Sequence, residues 1–241
     1  MSKFFGALQQ RAASPPGSTE RLSGQVRTVR LSLVPNIQAV AAELARDEGL
    51  YHLAEQFSAL ASVTDGSRLF VAGCNPGDGA SSVAAAIALD LSQRLGLPTA
   101  LVDAHLQHPG LQNVFPRNDT AISERSGSLI RNTGLPRLDL MLNTLGQATE
   151  QLIQDVNATL PRYRAAVVDL GVARLDPSLL RLIRPADIVM LVARYGHTER
   201  RHLLGAVRAF TAANHPAIGV IFNAVQNPIP EWLRRIIGIG G

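Results

Sequence analysis

The stretch that decides the fold is Arg68 to Leu91, RLFVAGCNPGDGASSVAAAIALDL. Arg68 to Ala72 is a short apolar run that favours a strand, and Cys74 to Gly79 is a turn of Gly, Pro, Asn and Asp. From Ser81 an alanine-rich pattern predicts a helix that ends at Gly96 and Pro98. Strand, glycine loop and helix in that order bring loop amides and a helix N-terminus to one point, where they suit an anion such as phosphate. The phosphate-loop pattern GxxxxGK[ST] falls on Cys74 to Ser81, with Gly79 as its second glycine and Ser81 as its magnesium-binding hydroxyl. Its lysine is Ala80, and the only lysine in the chain is Lys3. Losing a hydrogen bond to a charged group costs about 1.5–3 kcal/mol, and losing stabilisation of a developing anion costs about a hundred- to a thousand-fold in rate. Weak nucleotide binding would survive that loss; catalysis would not.

Outward from this corner, apolar strands and helices alternate. Thr99–Asp103, Leu138–Leu142, Ala165–Asp169, Asp187–Ala193 and Ala217–Asn223 read as strands, with helices at 150–160 and 200–214. Continuous apolar strands alternating with helices imply an α/β domain, a mostly parallel sheet covered on both faces. A helical pattern over 36–62, broken near Gly49, precedes the first core strand, so the chain is expected to enter the sheet only at the glycine loop. Residues 116–134 are polar and turn-rich and read as a mobile connection. The expected organisation is an N-terminal segment and linker over 1–35, the domain over 36–230, and a tail over 231–241. In the first segment Phe4, Phe5 and Leu8 share a helical face. In the tail Trp232, Leu233, Ile236 and Ile237 stand beside Arg234 and Arg235.

At 241 residues and 46% hydrophobic, the chain can fill one core of ordinary size. One cysteine, Cys74, excludes an internal disulfide and suits a reducing compartment. No apolar run approaches a membrane span, which predicts a protein in the cytosol or on the cytosolic face of a membrane. The net charge of +4, carried by arginine, allows an anionic partner without choosing among lipid, nucleic acid and acidic protein. Asp103 and Asp169 end strands of a parallel sheet, where ligands bind. Together with His105 and His108 they form a conceivable transition-metal set, although no regular ligand spacing supports it.

The order and spacing of these pieces over residues 68–225 resemble the bacterial tyrosine kinase family, within the wider class of Mrp/MinD-type P-loop ATPases. CNPGDGASSVAAAIA is similar to that family's SxxPGEGKSTxAxNLA, LVDAHLQHPGLQ to LIDADLRRPxLH, and AAVVDLG to VIIDTPP. RPADIVMLVARYGHTERRHL resembles LADGVLLVVRxGxTxRxxL, and GVIFNAV resembles GVVLNxV. The resemblance implies ATP or ADP with Mg²⁺ as cofactors. Gly77, Asp78 and Gly79 would wrap the phosphates, with Ala80 at the lysine position, and Ser81, with Ser82 beside it, would hold Mg²⁺. Asp103 would sit near the attacking group and the metal, Asp169 would hold the metal through water, and Asn223 would touch the base. It also implies a membrane polysaccharide co-polymerase as partner, a peripheral place on the inner membrane, and a homo-oligomer.

The departures fall on the chemistry. Ala80 replaces the lysine, and His105, Gln107 and His108 replace a carboxylate and a basic pair. Leu170, Gly171 and Val172 replace Thr-Pro-Pro. The acceptor tyrosine cluster of the family's C-terminus is missing, since the tyrosines are Tyr51, Tyr163 and Tyr195. The expectation is therefore a pseudokinase that regulates or scaffolds exopolysaccharide or capsule polymerisation and export. One alternative is an active, divergent ATPase or tyrosine autokinase in which Arg174, Arg194, Arg200 or a partner supplies the missing charge. Another is a partition- or positioning-type protein that binds DNA or membrane, weakened by the lack of any dense basic run.

Overall fold

The computed structural model describes residues 27–29, 48–63, 66–105, 111, 115, 121–125, 128–143, 148–173, 177–184, 187–215 and 218–223. Nine strands form one sheet: β1 (Arg27–Val29), β2 (Ser67–Gly73), β3 (Thr99–Asp103), β4 (Ala121–Arg125), β5 (Ser128–Asn132), β6 (Leu138–Asn143), β7 (Ala165–Val172), β8 (Ile188–Arg194) and β9 (Ile218–Asn223). Their order is β1-β9-β8-β2-β7-β3-β6-β5-β4. From β1 to β6 every neighbouring pair is parallel, and β5 and β4 add antiparallel pairs at the far edge. Among the described residues the α-helices are α1 (Glu48–Val63), α2 (Ala80–Leu89), α3 (Thr149–Thr159) and α4 (Arg200–Ala212). This is the expected α/β architecture with a mostly parallel sheet.

Strand alternation sorts the core into two layers. Leu69, Val71, Leu101, Val167, Met190 and Ile221 face a cluster that includes Ala54 and Phe57 of α1 and most of α2. Phe70, Val102, Val168 and Leu191 face the opposite cluster, built with Leu152 and Val156 of α3 and Ala206 and Phe210 of α4. Helices therefore cover both faces. Within α2, residues Val83 to Leu89 are all buried. A helix hidden all round needs no polar stripe, and its small alanines let the backbone lie close to the sheet. By the same alternation Asp103, Asp169 and Asn223 share the α2 face, Asp103 and Asn223 as the last residues of their strands and Asp169 level with Asp103 within β7.

Two expectations are corrected. Residues 116–134 contain more than a connection, because β4 and β5 form an antiparallel pair and β5 continues onto β6. The turn signal Ser126–Gly127 separates two segments whose backbone groups pair in the sheet, which outweighs their polar composition. The chain does not first enter the sheet at the glycine loop, since Arg27–Val29 already pairs in parallel with Ile221–Asn223. The described helix α1 begins at Glu48, beside the expected break near Gly49. Otherwise the predicted strands stand within one residue of their expected ends, except that the strand expected over Ala165–Asp169 runs on to Val172. The expected helix over 81–95 becomes α2 followed by a π-helical turn, Asp90–Arg94, pinned by a bidentate contact from Arg94 to Asp90 at 2.7 and 2.6 Å. The terminal helix with Phe4, the leading part of 36–62, and the tail with Trp232 lie outside the described residues. Among the described residues no helix is long and apolar enough to cross a membrane.

Candidate functional site

The loop Cys74–Gly79 joins the inner strand β2 to α2, between the ends of β7 and β8. The Cys74 amide still bonds to the Val192 carbonyl at 2.9 Å, and the Gly73 carbonyl accepts the Ala173 amide at 2.7 Å, so both flanks of the loop stay tied to the sheet. Gly77 and Gly79 have φ of +81° and +91°, a region that side chains rarely adopt. At Gly79 a Cβ would also stand 2.1 Å from the Asn223 amide nitrogen. The sequence therefore needs glycine there twice over, for backbone conformation and for space.

Gly79 caps α2 without any side-chain acceptor for the first-turn amides. Those donors and the positive end of the helix dipole point at the loop. Asp78 is almost fully buried, at 3% exposure, and its carboxylate is spent within the protein. Oδ2 accepts the Asn75 amide and Oδ1 the Thr198 hydroxyl, each at 2.8 Å. The Asp78 carbonyl accepts the Asn223 side-chain amide at 2.9 Å. Ala80 is buried, at 7% exposure, within the α2-side core. The position of the missing lysine is thus a packed methyl group.

Asp169, within β7 and level with Asp103 at the end of β3, is the carboxylate least at ease. It is fully buried, Oδ1 accepts the Gly171 amide at 2.9 Å, and Oδ2 has no hydrogen-bond partner. Burial pushes its pKa up, opposed by the nearby Ser81 hydroxyl, the Gly171 amide and the charge of His105. A deeply buried carboxylate oxygen without a donor, beside a serine hydroxyl, fits a hydrated Mg²⁺ ion, whose ligands are hard oxygens. Asp103 is differently engaged: its oxygens accept the amides of His105 at 3.1 Å and Leu111 at 3.0 Å, which shapes the turn after β3.

His105 lies over Gly171. A Cβ on Gly171 would meet the imidazole at 2.7 Å, and the glycine has φ of +72°, which a proline could not adopt. Two of the departures from the resembled motifs, Leu-Gly-Val where they have Thr-Pro-Pro and His105 where they have a carboxylate, therefore meet in one contact. It falls where the pairing of β2 with β7 slips, between Val71 and Gly73. Among the described residues no group of three or more His, Cys, Asp and Glu could hold a metal ion. The transition-metal set of Asp103, His105, His108 and Asp169 is thus not assembled by those members that are described, and His108 lies outside them.

The structure brings together Gly77, Asp78, Gly79, Ala80, Ser81 and Asn223, with Asp169 beside Ser81. Ser82, half-buried, follows in the first turn of α2. Arg194 is exposed at the end of β8 and Arg200 is exposed at the start of α4, while Arg174 is outside the described residues. Sequence reasoning missed Thr198, although it stands in the stretch ARYGHTERRHL that carried part of the resemblance.

Taken together, the interior strand, glycine loop, buried helix and the carboxylate of the neighbouring strand β7 define a P-loop NTPase-like fold. No family model and no curated protein matches the chain. Solved structures do. The kinase domain of the Escherichia coli tyrosine kinase ETK is similar with a TM-score of 0.64 and 17% identity, over 95% of this chain and 89% of that one. The BceF tyrosine kinase domain is similar with a TM-score of 0.60 and 21% identity, over 94% and 91%. A ParA family ATPase from Chlorobium tepidum is similar with a TM-score of 0.54 and 16% identity, over 72% and 81%. At these identities the likeness is one of fold.

Proposed function

We propose that this chain is a tyrosine-kinase-like P-loop protein that has kept a nucleotide cradle and lost its phosphoryl chemistry, a pseudokinase that regulates or scaffolds export of a surface polysaccharide. The observation that carries the reading is the pairing of an intact loop with a packed Ala80. Glycines, helix amides, Ser81 and a buried carboxylate stand in place around a position that holds a methyl group. The backbone of Gly77 to Gly79 would cradle the phosphates of ATP or ADP, and Ser81 and Asp169 would hold Mg²⁺. The ion would neutralise phosphate charge. Ala80 offers no cation to a developing anion, and that absence separates binding from turnover. Asn223 would border the base from the end of β9.

Support for the cellular role comes from the kinase domains that share the fold and from the sequence motifs over residues 68–225. On this reading the chain docks at the cytosolic end of an inner-membrane polysaccharide co-polymerase and lies on the membrane through that partner, alone or as a homo-oligomer. Nucleic acid is the less favoured partner. A second reading is an active, divergent ATPase or autokinase, favoured by the exposed Arg194 and Arg200 near the loop. Two measurements on purified protein separate them: the affinity for Mg-ADP, and phosphotyrosine after incubation with Mg-ATP. The proposal expects weak binding and no phosphotyrosine, whereas sustained ATP turnover with tyrosine phosphorylation would overturn it.

A further inference from the structure

We infer that Thr198 is a positioning residue for the phosphate loop, coupling the exposed turn between β8 and α4 to the loop through the Asp78 carboxylate. The inference deepens the nucleotide-cradle reading but stands on contacts of its own. After β8 the chain turns tightly, with the amides of His197 and Thr198 both bonded to the Arg194 carbonyl, at 3.1 and 2.9 Å. This turn brings the Thr198 hydroxyl between two groups. It lies 2.8 Å from the Arg194 amide and 2.8 Å from Asp78 Oδ1.

The direction of these bonds follows from chemistry. The Arg194 amide can only donate, so the hydroxyl accepts there and its single proton goes to the carboxylate. An O–H bond to an ionised acceptor is stronger than a neutral one. Asp78 is then held from three directions: by the Asn75 amide inside the loop, by Thr198 from the β8–α4 turn, and by Asn223 from β9 on its carbonyl. Thr198 and Asn223 are 120 and 145 residues away in sequence, so both contacts exist only in the folded sheet.

Without a lysine that could draw the loop around a phosphate, the loop's shape has to be set from inside the protein. Asp78 acts as a resident anion inside the loop, and Thr198 is the donor that fixes its orientation. The residues around Thr198 are accessible: Tyr195 is 53% exposed, and His197, Glu199, Arg200 and Arg201 are also exposed. A force on this turn reaches the Asp78 carboxylate through the Thr198 hydroxyl, and the Asp78 carbonyl through Asn223, whose own carbonyl accepts the Tyr195 amide at 2.9 Å.

The test is hydrogen exchange on the full-length chain without nucleotide, comparing wild type with Thr198→Val, Thr198→Ser and Asp78→Asn. Thr198→Val should speed exchange across residues 75–81 by about tenfold while β3 and β6 keep wild-type rates. Thr198→Ser, which restores the hydroxyl without the methyl group, should return the loop to wild-type rates. Asp78→Asn should give a smaller acceleration in the same segment, and it keeps the test usable if Thr198→Val does not fold. Wild-type exchange in the loop of Thr198→Val would overturn the inference. So would a Thr198→Ser variant as fast as the valine variant, or acceleration spread evenly through the sheet. Failure of wild type to bind fluorescent Mg-ADP, with the loop still loosened by Thr198→Val, would remove the nucleotide reading and leave Thr198's role standing.

Discussion

Replacing Asp169 by asparagine should make the protein more stable in the absence of divalent ions. Asp169 is fully buried, and one of its two carboxylate oxygens has no hydrogen-bond partner. An unsatisfied buried polar group costs about 1–3 kcal/mol, and more when charged. Asparagine keeps the oxygen that accepts the Gly171 amide, removes the charge, and offers an N–H toward the Ser81 hydroxyl. A gain of about 1–3 kcal/mol corresponds, at about 2–4 °C per kcal/mol for a chain of this size, to a rise in Tm of roughly 2–12 °C.

The pH dependence has a definite sign. Burial raises the pKa of Asp169 above its ordinary value of 3.8, so the folded state prefers the protonated carboxyl. The stability tied to this group is fully present below that ordinary value and is lost as pH rises through the raised one. The advantage of Asp169→Asn should therefore be small in mild acid and widen toward pH 8. Thermal melts of both proteins in EDTA, at several pH values from about 4 to 8, provide the assay. In parallel melts without EDTA, Mg-ADP should stabilise wild type and leave the variant unmoved. A variant that melts at or below wild type near neutral pH would refute the reasoning, because it would mean that the buried charge is already compensated.

Ala80→Lys should raise the affinity for Mg-ADP about ten- to a hundred-fold, the equivalent of about 1.5–3 kcal/mol for a restored charged hydrogen bond; unchanged affinity by titration calorimetry would mean that the buried position cannot release the new side chain into the loop. Gly171→Ala should cost more than the roughly 1–2 kcal/mol of a left-handed residue, because the methyl group meets the His105 ring; the double variant with His105→Ala should recover the steric part alone in urea denaturation. Gly79→Ala combines a φ of +91° with a methyl group driven into Asn223, so it should lower the urea midpoint and abolish any nucleotide-induced shift in Tm. Cys74 is buried and its thiol is pushed up to about 12, so it should resist a thiol-titrating disulfide reagent at pH 8 until the chain is unfolded.

Most of the sheet was legible because its strands are continuous apolar runs, which parallel strands buried on both faces require. Thr99–Asp103 is a case in which the predicted and observed limits coincide. The glycine loop was legible for a related reason: strand, positive-φ glycines and helix are consecutive in sequence, so local chemistry alone indicates the corner. β4 and β5 were not legible, because their polar composition outweighed a two-residue turn signal and their pairing depends on β6 being present as a template. The start of the sheet was hidden likewise, since β1 is only three residues long and is held by a strand from the other end of the chain.

The sequence by itself determined the architecture, the place of the loop, and the presence of Ala80 where the phosphate-loop pattern has lysine, since each resides in a run of neighbouring residues. Only the tertiary structure decided what the remaining side chains do. It buries Asp169 with an unmatched oxygen, turns Asp103 toward backbone amides, and lays His105 on Gly171. It also closes Thr198 and Asn223 onto Asp78 across more than a hundred residues. The physical reason is range: backbone preference and hydrophobic period act over a few residues, whereas a buried polar group takes its partner from whichever strand end the folded sheet sets beside it.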